Sequence, residues 1–484
     1  MYFNSWQFVF FFVVVYFGYL ILPSVRGQNV LLLVASYLFY AAWDWRFLSL
    51  IWISTAVDFC CGIAIHQSSD LKRRRQLICL SIATNLGMLA LFKYFNFFAE
   101  SLGSLLSLFQ YDPTPLRLHI VLPVGISFYT FQTLSYTIDI YRRESQPTTS
   151  LLNFALFVAF FPQLVAGPIE RASRLLPQIA SRRHLDQNSF FTGCWLVYWG
   201  MWKKIVVADN LAYVVDRVFD NSVHVTVIPV YIGLIAFAFQ IYCDFSGYSD
   251  IARGVSRMMG FEIMRNFNLP YFAVNPSDFW KRWHLSLSTW LRDYLYIPLG
   301  GNRGSRTDVN RNLMVTMLLG GLWHGASWNF LWWGLYHGLL LVGFRLWRET
   351  SLGRPREQGA LTKALQMIGM FQLTLFGWLL FRANRSTTDS AGITHDESTE
   401  QILELLTSFT NGTGMTSDTL NMFVSVLWFA APFCAIQILQ FKTRDHYFMW
   451  KWGKSAQVLF IAFLTWMWLI FGVQDGGSFI YFQF

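Results

Sequence analysis

One histidine in this chain of 484 residues stands where a histidine needs a task. His324 lies in GGLWHGASWNF (residues 320–330), between LMVTMLL and LWWGLYHGLLLVGF, runs apolar enough for a bilayer. Ionisable side chains at membrane depth are costly and mark sites or pathways. A neutral imidazole there is suited to general-base chemistry, taking the proton from an attacking hydroxyl. The other reading is an interhelical hydrogen bond that only pins packing. His337 follows thirteen positions later, a spacing seen in membrane haem proteins. Haem needs a second helix with a matching pair, and none of the remaining histidines supplies one, so haem is not expected.

His284 lies in DFWKRWHLSLSTWLRDYLY (residues 278–296). Trp280, Trp283, Leu287, Leu291 and Tyr294 recur at helical spacing, with Lys281, His284, Ser288 and Arg292 opposite. The pattern predicts one amphipathic helix at the cytoplasmic interface, with His284 on its polar face. Arg282, Arg292, Arg303 and Arg306 are of the type that holds phosphates, although cytoplasmic loops commonly carry such residues. Asp244, Ser246 and Asp250 in DFSGYSD cap a helix or line a cavity. Trp323, Trp328 and Asn329 flank His324 and are expected to line its cavity, the tryptophans excluding water.

These residues must be positioned by membrane helices. The chain is 54% hydrophobic and 18% aromatic, with 13% charged residues against roughly 25% in soluble domains. Mean hydropathy is +0.37. An all-α polytopic membrane protein is expected, with one membrane-embedded domain over residues 1–484, a core at about 77–350 and added spans at about 360–484. The net charge of +9 sits in short loops, where it orients helices or meets anionic lipid, so nucleic acid is not an expected partner. The six cysteines form no CxxC pair or ligand spacing, which predicts neither disulfides nor a metal site. The start, MYFNSWQFVFFFVVVYFGYLIL, reads as a first span rather than a removable signal.

Spans are expected near residues 6–23, 28–46, 48–66 and 77–98, with the basic loop Asp70–Gln76 cytoplasmic and the N-terminus therefore outside. A fifth ends at Arg142–Arg143. Residues 151–170 are long enough to span but basic on both flanks and broken by Pro162 and Gly167–Pro168, so a re-entrant segment is expected. Further spans are expected near 189–207 and 225–243, followed by a cytoplasmic stretch that starts at Asp244. Residues 313–347 are too long for one straight span and again basic on both sides. Two shorter helices meeting at Gly320–Gly325 are expected, with His324 at the bend. Spans near 364–381, 421–441 and 455–474 then leave the acidic loop TTDSAGITHDESTE and the end of the chain outside.

Taken together, several stretches resemble the membrane-bound O-acyltransferase family over nearly the whole chain. They are LPVGISFYTFQTLSYTID, FPQLVAGPIER, DFSGYSDIARG, FWKRWHLSLSTWLRDYLYIPLGGNR and GGLWHGASWNF, in that order. The resemblance is to the bacterial branch that modifies exported polymers, alginate O-acetyltransferases and D-alanyl-lipoteichoic acid transferases. It implies that His324 is the essential histidine and His284 the second signature histidine, in a helical core with short, tilted helices. It also implies acetyl-CoA as donor substrate with no bound cofactor, an exported, alginate-like polysaccharide as acceptor, and a multi-pass place in the bacterial inner membrane. An extracytoplasmic partner of the SGNH/esterase fold is expected to finish the transfer. Tyr481, in FIYFQF, is expected on the outer side as a transient acetyl carrier or, alternatively, as an aromatic-belt anchor. Rival readings are another donor or acceptor (a D-alanyl carrier protein with teichoic acid, or a lipid) and a transporter or flippase without covalent chemistry.

Overall fold

Apolar runs bounded by short polar caps set the helix limits in a computed structural model of the chain. It describes residues 1–107, 109, 118, 120–220, 226–351, 359–388, 394–410, 412, 414–473 and 479–480. Ser5 Oγ accepts the Phe8 amide at 3.2 Å and Ser24 Oγ the Gly27 amide at 3.0 Å, starting helices Trp6–Ile21 and Val25–Asp44. Such caps satisfy amides that a helix leaves without partners. Six helical stretches among the described residues are long and apolar enough to cross a bilayer: Val25–Gln67, Leu71–Leu106, Val227–Met258, Ala360–Arg382, Ser417–Thr443 and Lys454–Phe471. Among the described residues the sole strands are Ser386–Thr388 and Thr394–Asp396, an antiparallel pair. The chain is an all-α, multi-pass membrane protein.

Contacts divide the chain into two compact units: Met1–Tyr198 with Tyr248–Arg265, and Trp199–Gly247 with Asn266–Phe484. In the first, residues 154–170 are buried without interruption. Helix Leu151–Ala159 stops at Phe160, a single turn Phe161–Leu164 follows, and Gly167 lies against the Gln163 backbone too closely for any side chain. The Phe157 carbonyl at this break accepts from Gln132 Nε2 at 2.7 Å and Gln163 Nε2 at 2.8 Å. Broken backbone at membrane depth survives through such cover. The same unit buries Asp58, whose carboxylate accepts from Ser81 Oγ at 2.5 Å and Asn85 Nδ2 at 2.8 Å.

The second unit departs from the sequence expectation in two places. The helix expected to end near residue 243 does not stop before DFSGYSD: it runs on as Val227–Met258, with Asp244 buried and paired to Lys204 at 2.9 Å. A buried carboxylate with a cationic partner leaves the helix free to run on. Residues 280–294 do not form one amphipathic helix either. Helix Pro276–Trp280 ends, the chain turns through His284 at φ +42°, helix Leu285–Leu291 follows, and a π-helical turn spans Arg292–Tyr296. Asn266 competes for this backbone, its carbonyl taking the Leu285 amide at 2.8 Å and its Oδ1 the Ser286 amide at 3.4 Å.

Next comes a helical hairpin, Arg306–His324 and Trp328–Glu349, broken at Gly325–Ser327 as its glycines predict. Its arms, 19 and 22 residues long, span roughly 28 and 33 Å, about the thickness of a bilayer core. Glycine permits the close approach: Gly321 meets the Phe330 carbonyl, and a Cβ on Gly334 would lie 2.5 Å from the Met317 carbonyl. Small residues at helix contacts in membranes do this work. At the base of the hairpin, Arg345 Nη1 donates to Asn310 Oδ1 at 2.7 Å and Arg306 pairs with Glu349 at 3.0 Å.

Candidate active site

His324 is the last residue of helix Arg306–His324 and is 5% exposed. Its ring is met edge-on by Trp333 at 4.9 Å and Phe381 at 5.3 Å, and by Trp323 at 5.1 Å. Trp323 also lies 5.8 Å from the ring of His284, which is wholly buried and edge-on to Phe245 at 4.7 Å. On the other side, Trp333 is 4.6 Å from His337, itself enclosed by Phe279, Trp280 and Tyr336. Three buried imidazoles therefore run through one aromatic cluster in the order His284, Trp323, His324, Trp333, His337. The sequence separates them by 40 and 13 positions; the hairpin and the 276–291 segment bring them together.

His284 corrects its expected place on a polar face. Its left-handed backbone, unusual for a residue with a Cβ, turns the ring inward, where Nδ1 is 3.4 Å from Ser286 Oγ. Its proton positions follow the tautomer. What the cluster offers chemically is an imidazole that can exchange a proton with a hydroxyl, walled by rings that keep water away.

The turn after His324 is held from a distant part of the chain. A side chain on Gly325 would enter the Phe330 ring, so only hydrogen fits there. Asp396 Oδ2 accepts from Ser327 Oγ at 2.7 Å and from the Trp328 amide at 2.9 Å. Ser398 Oγ accepts the Asn329 amide at 3.2 Å, and Asn329 Nδ2 donates to the Phe381 carbonyl at 2.9 Å. The first turn of helix Trp328–Glu349 is thus capped in trans.

The remaining candidates divide. Trp323 lines the cluster and Asn329 is buried behind the turn. Trp328 is 43% exposed, and Trp333, one turn further along the same helix, meets the His324 ring. Asp244 is buried and holds Lys204 and the Ile480 amide, so its carboxylate joins an ion cluster. Arg282 is tied to Asp278 at 2.9 Å and to the Asn268 carbonyl at 3.3 Å. Arg292 pairs with Asp293 at 2.7 Å on the surface, and Arg303 is exposed in a loop of left-handed glycines, Gly300, Gly301 and Gly304. Tyr481 lies outside the described residues. Sequence reasoning missed Trp333, Phe381 and Asp396, and set His337 aside once haem was rejected. Trp333 carried a weak signal, one helical turn before His337 on an apolar helix; Asp396 carried none.

The family model for MBOAT, the membrane-bound O-acyltransferase family, matches residues 38–376. The chain belongs to that family and is an O-acyltransferase. It is 43% identical over 384 residues, 79% of its length and 75% of the relative's, to the probable alginate O-acetylase AlgI of Azotobacter vinelandii. Against the protein of the same name from Pseudomonas aeruginosa the identity is 44%, covering 79% of this chain and 72% of the other. A peptidoglycan O-acetyltransferase of Helicobacter pylori is 35% identical, covering 79% of this chain and 77% of the other.

Proposed function

We propose that this chain is a bacterial inner-membrane acetyltransferase that takes acetyl groups from cytoplasmic acetyl-CoA and passes them outward for O-acetylation of an exported, alginate-like polysaccharide. The observation that carries this reading is His324, buried among Trp323, Trp333 and Phe381 at the head of a hairpin with arms of membrane-crossing length.

In the proposed reaction His324 takes the proton of the acceptor hydroxyl while its oxygen attacks the thioester carbonyl. The C–S bond breaks, and the thiolate recovers the proton from the imidazolium as free CoA leaves. His284, behind Trp323, orients that ring and completes the wall of the site. Arg303 is the candidate contact for donor phosphates, since Arg282 is engaged by Asp278 and Arg292 by Asp293. Tyr481 is the proposed first acceptor, forming a transient aryl ester that an extracytoplasmic partner of the SGNH/esterase fold collects. Phe479 and Ile480, the described residues before it, support this: both are buried, and Phe479 lies 5.7 Å from Phe245, the ring that meets His284.

The test is thiol release from acetyl-CoA by the purified protein in nanodiscs, comparing wild type with His324→Ala of equal monodispersity. Release by wild type alone upholds the reading; equal release by both removes His324 from the chemistry. Turnover of a D-alanyl carrier protein in place of acetyl-CoA would reassign the donor. For the relay, Tyr481→Phe must lose polymer acetylation, and normal acetylation would refute it.

A further inference from the structure

Between helices Gln187–Trp202 and Asp209–Phe219 the backbone widens into a π-helical turn, Lys203–Ala208. Such turns concentrate at functional sites, and the widening leaves carbonyls for outside partners. Here the partners come from the chain that follows helix Lys454–Phe471. The Ile205 carbonyl accepts the Val473 amide at 3.1 Å, and Asn210 Nδ2 bridges the Val206 carbonyl at 3.0 Å and the Phe471 carbonyl at 2.8 Å.

The same turn buries two adjacent lysines. Lys203 Nζ donates to Ser246 Oγ at 2.9 Å, and Lys204 Nζ lies 2.9 Å from both Asp209 and Asp244. Lys204 thus faces two carboxylates, the compensation that buried charge requires. Asp244 has a further contact: its Oδ2 accepts the Ile480 amide at 2.7 Å. A carboxylate accepting from an amide makes a stronger bond than a neutral acceptor does.

We propose that the turn Lys203–Ala208 and Asp244 form a dock for Phe471, Val473 and Ile480, and that Asp244 is the positioning residue that holds Ile480, next in the chain to Tyr481, for acyl transfer. This rests on the reading of Tyr481 as first acceptor. The two lysines hold the dock together; Asp244 alone of its four charged groups reaches Ile480 in the described contacts.

Hydrogen exchange of the full-length protein in nanodiscs, read by mass spectrometry on the peptide containing Ile480, tests the dock directly. In Asp244→Ala, which removes the acceptor, the Ile480 amide is expected to exchange about ten- to a hundredfold faster. Asp209→Asn, which also removes a buried carboxylate but leaves the Ile480 bond, is expected to keep wild-type protection. The ratio of acetyl on Tyr481 to CoA released should fall about tenfold in Asp244→Ala. Equal protection of Ile480 in wild type and Asp244→Ala overturns the dock, and an unchanged ratio with Tyr481 acetylated in wild type overturns the positioning role. If Tyr481→Phe acetylates polymer normally while exchange still responds to Asp244→Ala, the dock stands and the relay falls.

Discussion

Asp396 caps the helix that begins at Trp328, accepting its amide at 2.9 Å from 68 positions along the chain. The same carboxylate oxygen takes the Ser327 hydroxyl, so the end of the turn after His324 is fixed by a short strand pair that follows helix Ala360–Arg382. An acidic loop that reads in sequence as plain solvent cover is therefore the fastening of the site.

Removing that fastening should cost activity before it costs the fold. Loss of an N-cap is worth about 0.5–2 kcal/mol, small for a protein of this size but concentrated beside His324. Asp396→Ala is expected to lower kcat for acetyl transfer by about tenfold, with KM for acetyl-CoA little changed. Asp396→Asn, which keeps an acceptor oxygen, should recover most of it. Steady-state thiol release over a range of acetyl-CoA concentrations decides this; a change in KM alone would contradict it.

Gly325 is required for space, since its extended backbone suits any residue. In Gly325→Ala the added methyl meets the Phe330 ring. Overpacking of this kind costs about 1–3 kcal/mol. Thermal unfolding in detergent should shift downward and thiol release should fall with it, and Phe330→Leu in the same chain should restore part of both.

The cluster holds three buried histidines but the proposed mechanism uses one as base. His324→Ala should lower thiol release by about 10²–10⁴-fold, the usual worth of a positioned base. His337→Met, which fills the space among Trp280, Trp333 and Tyr336 with an adaptable side chain, should retain release within about threefold. A collapse in His337→Met at normal elution would make His337 part of the chemistry.

Arg385 gathers the segment that carries Asp396: it pairs with Glu404 through two hydrogen bonds at 2.8 and 2.9 Å and with Glu397 at 3.3 Å. Those bonds hold the Glu404 carboxyl below its ordinary value of 4.5, with partial burial opposing them. A depressed folded-state value stabilises fully above 4.5 and is lost as pH falls through the lower value. Wild type should therefore lose thermal stability on acidification below about 4.5 more steeply than Glu404→Gln does. Superimposable pH profiles would show that the pair contributes nothing, as many exposed pairs do.

Local features were legible without the structure. Pro162 and Gly167 announced the broken segment, and Gly320–Gly325 announced the bend at His324, because helix breaking acts over three or four residues of backbone. The arrangement of apolar runs and basic loops foretold most membrane-length helices by the same short-range arithmetic. His284 was misplaced because helical spacing assumes an unbroken helix, and Asn266 breaks it from eighteen or more residues away. The end of the helix carrying DFSGYSD was set too early, because two charged residues mark the limit of an apolar run until Lys204 pairs with Asp244.

By itself, then, the sequence determined a many-helix membrane acyltransferase with a histidine at a glycine-rich bend. Tertiary structure decided that His284, His324 and His337 share one aromatic cluster. It decided equally that Asp396 holds the turn and that Asp244 meets Ile480 across 236 positions. Backbone preference is a property of neighbours in the chain, whereas burial and charge pairing are properties of neighbours in space, and those exist only once the helices have packed.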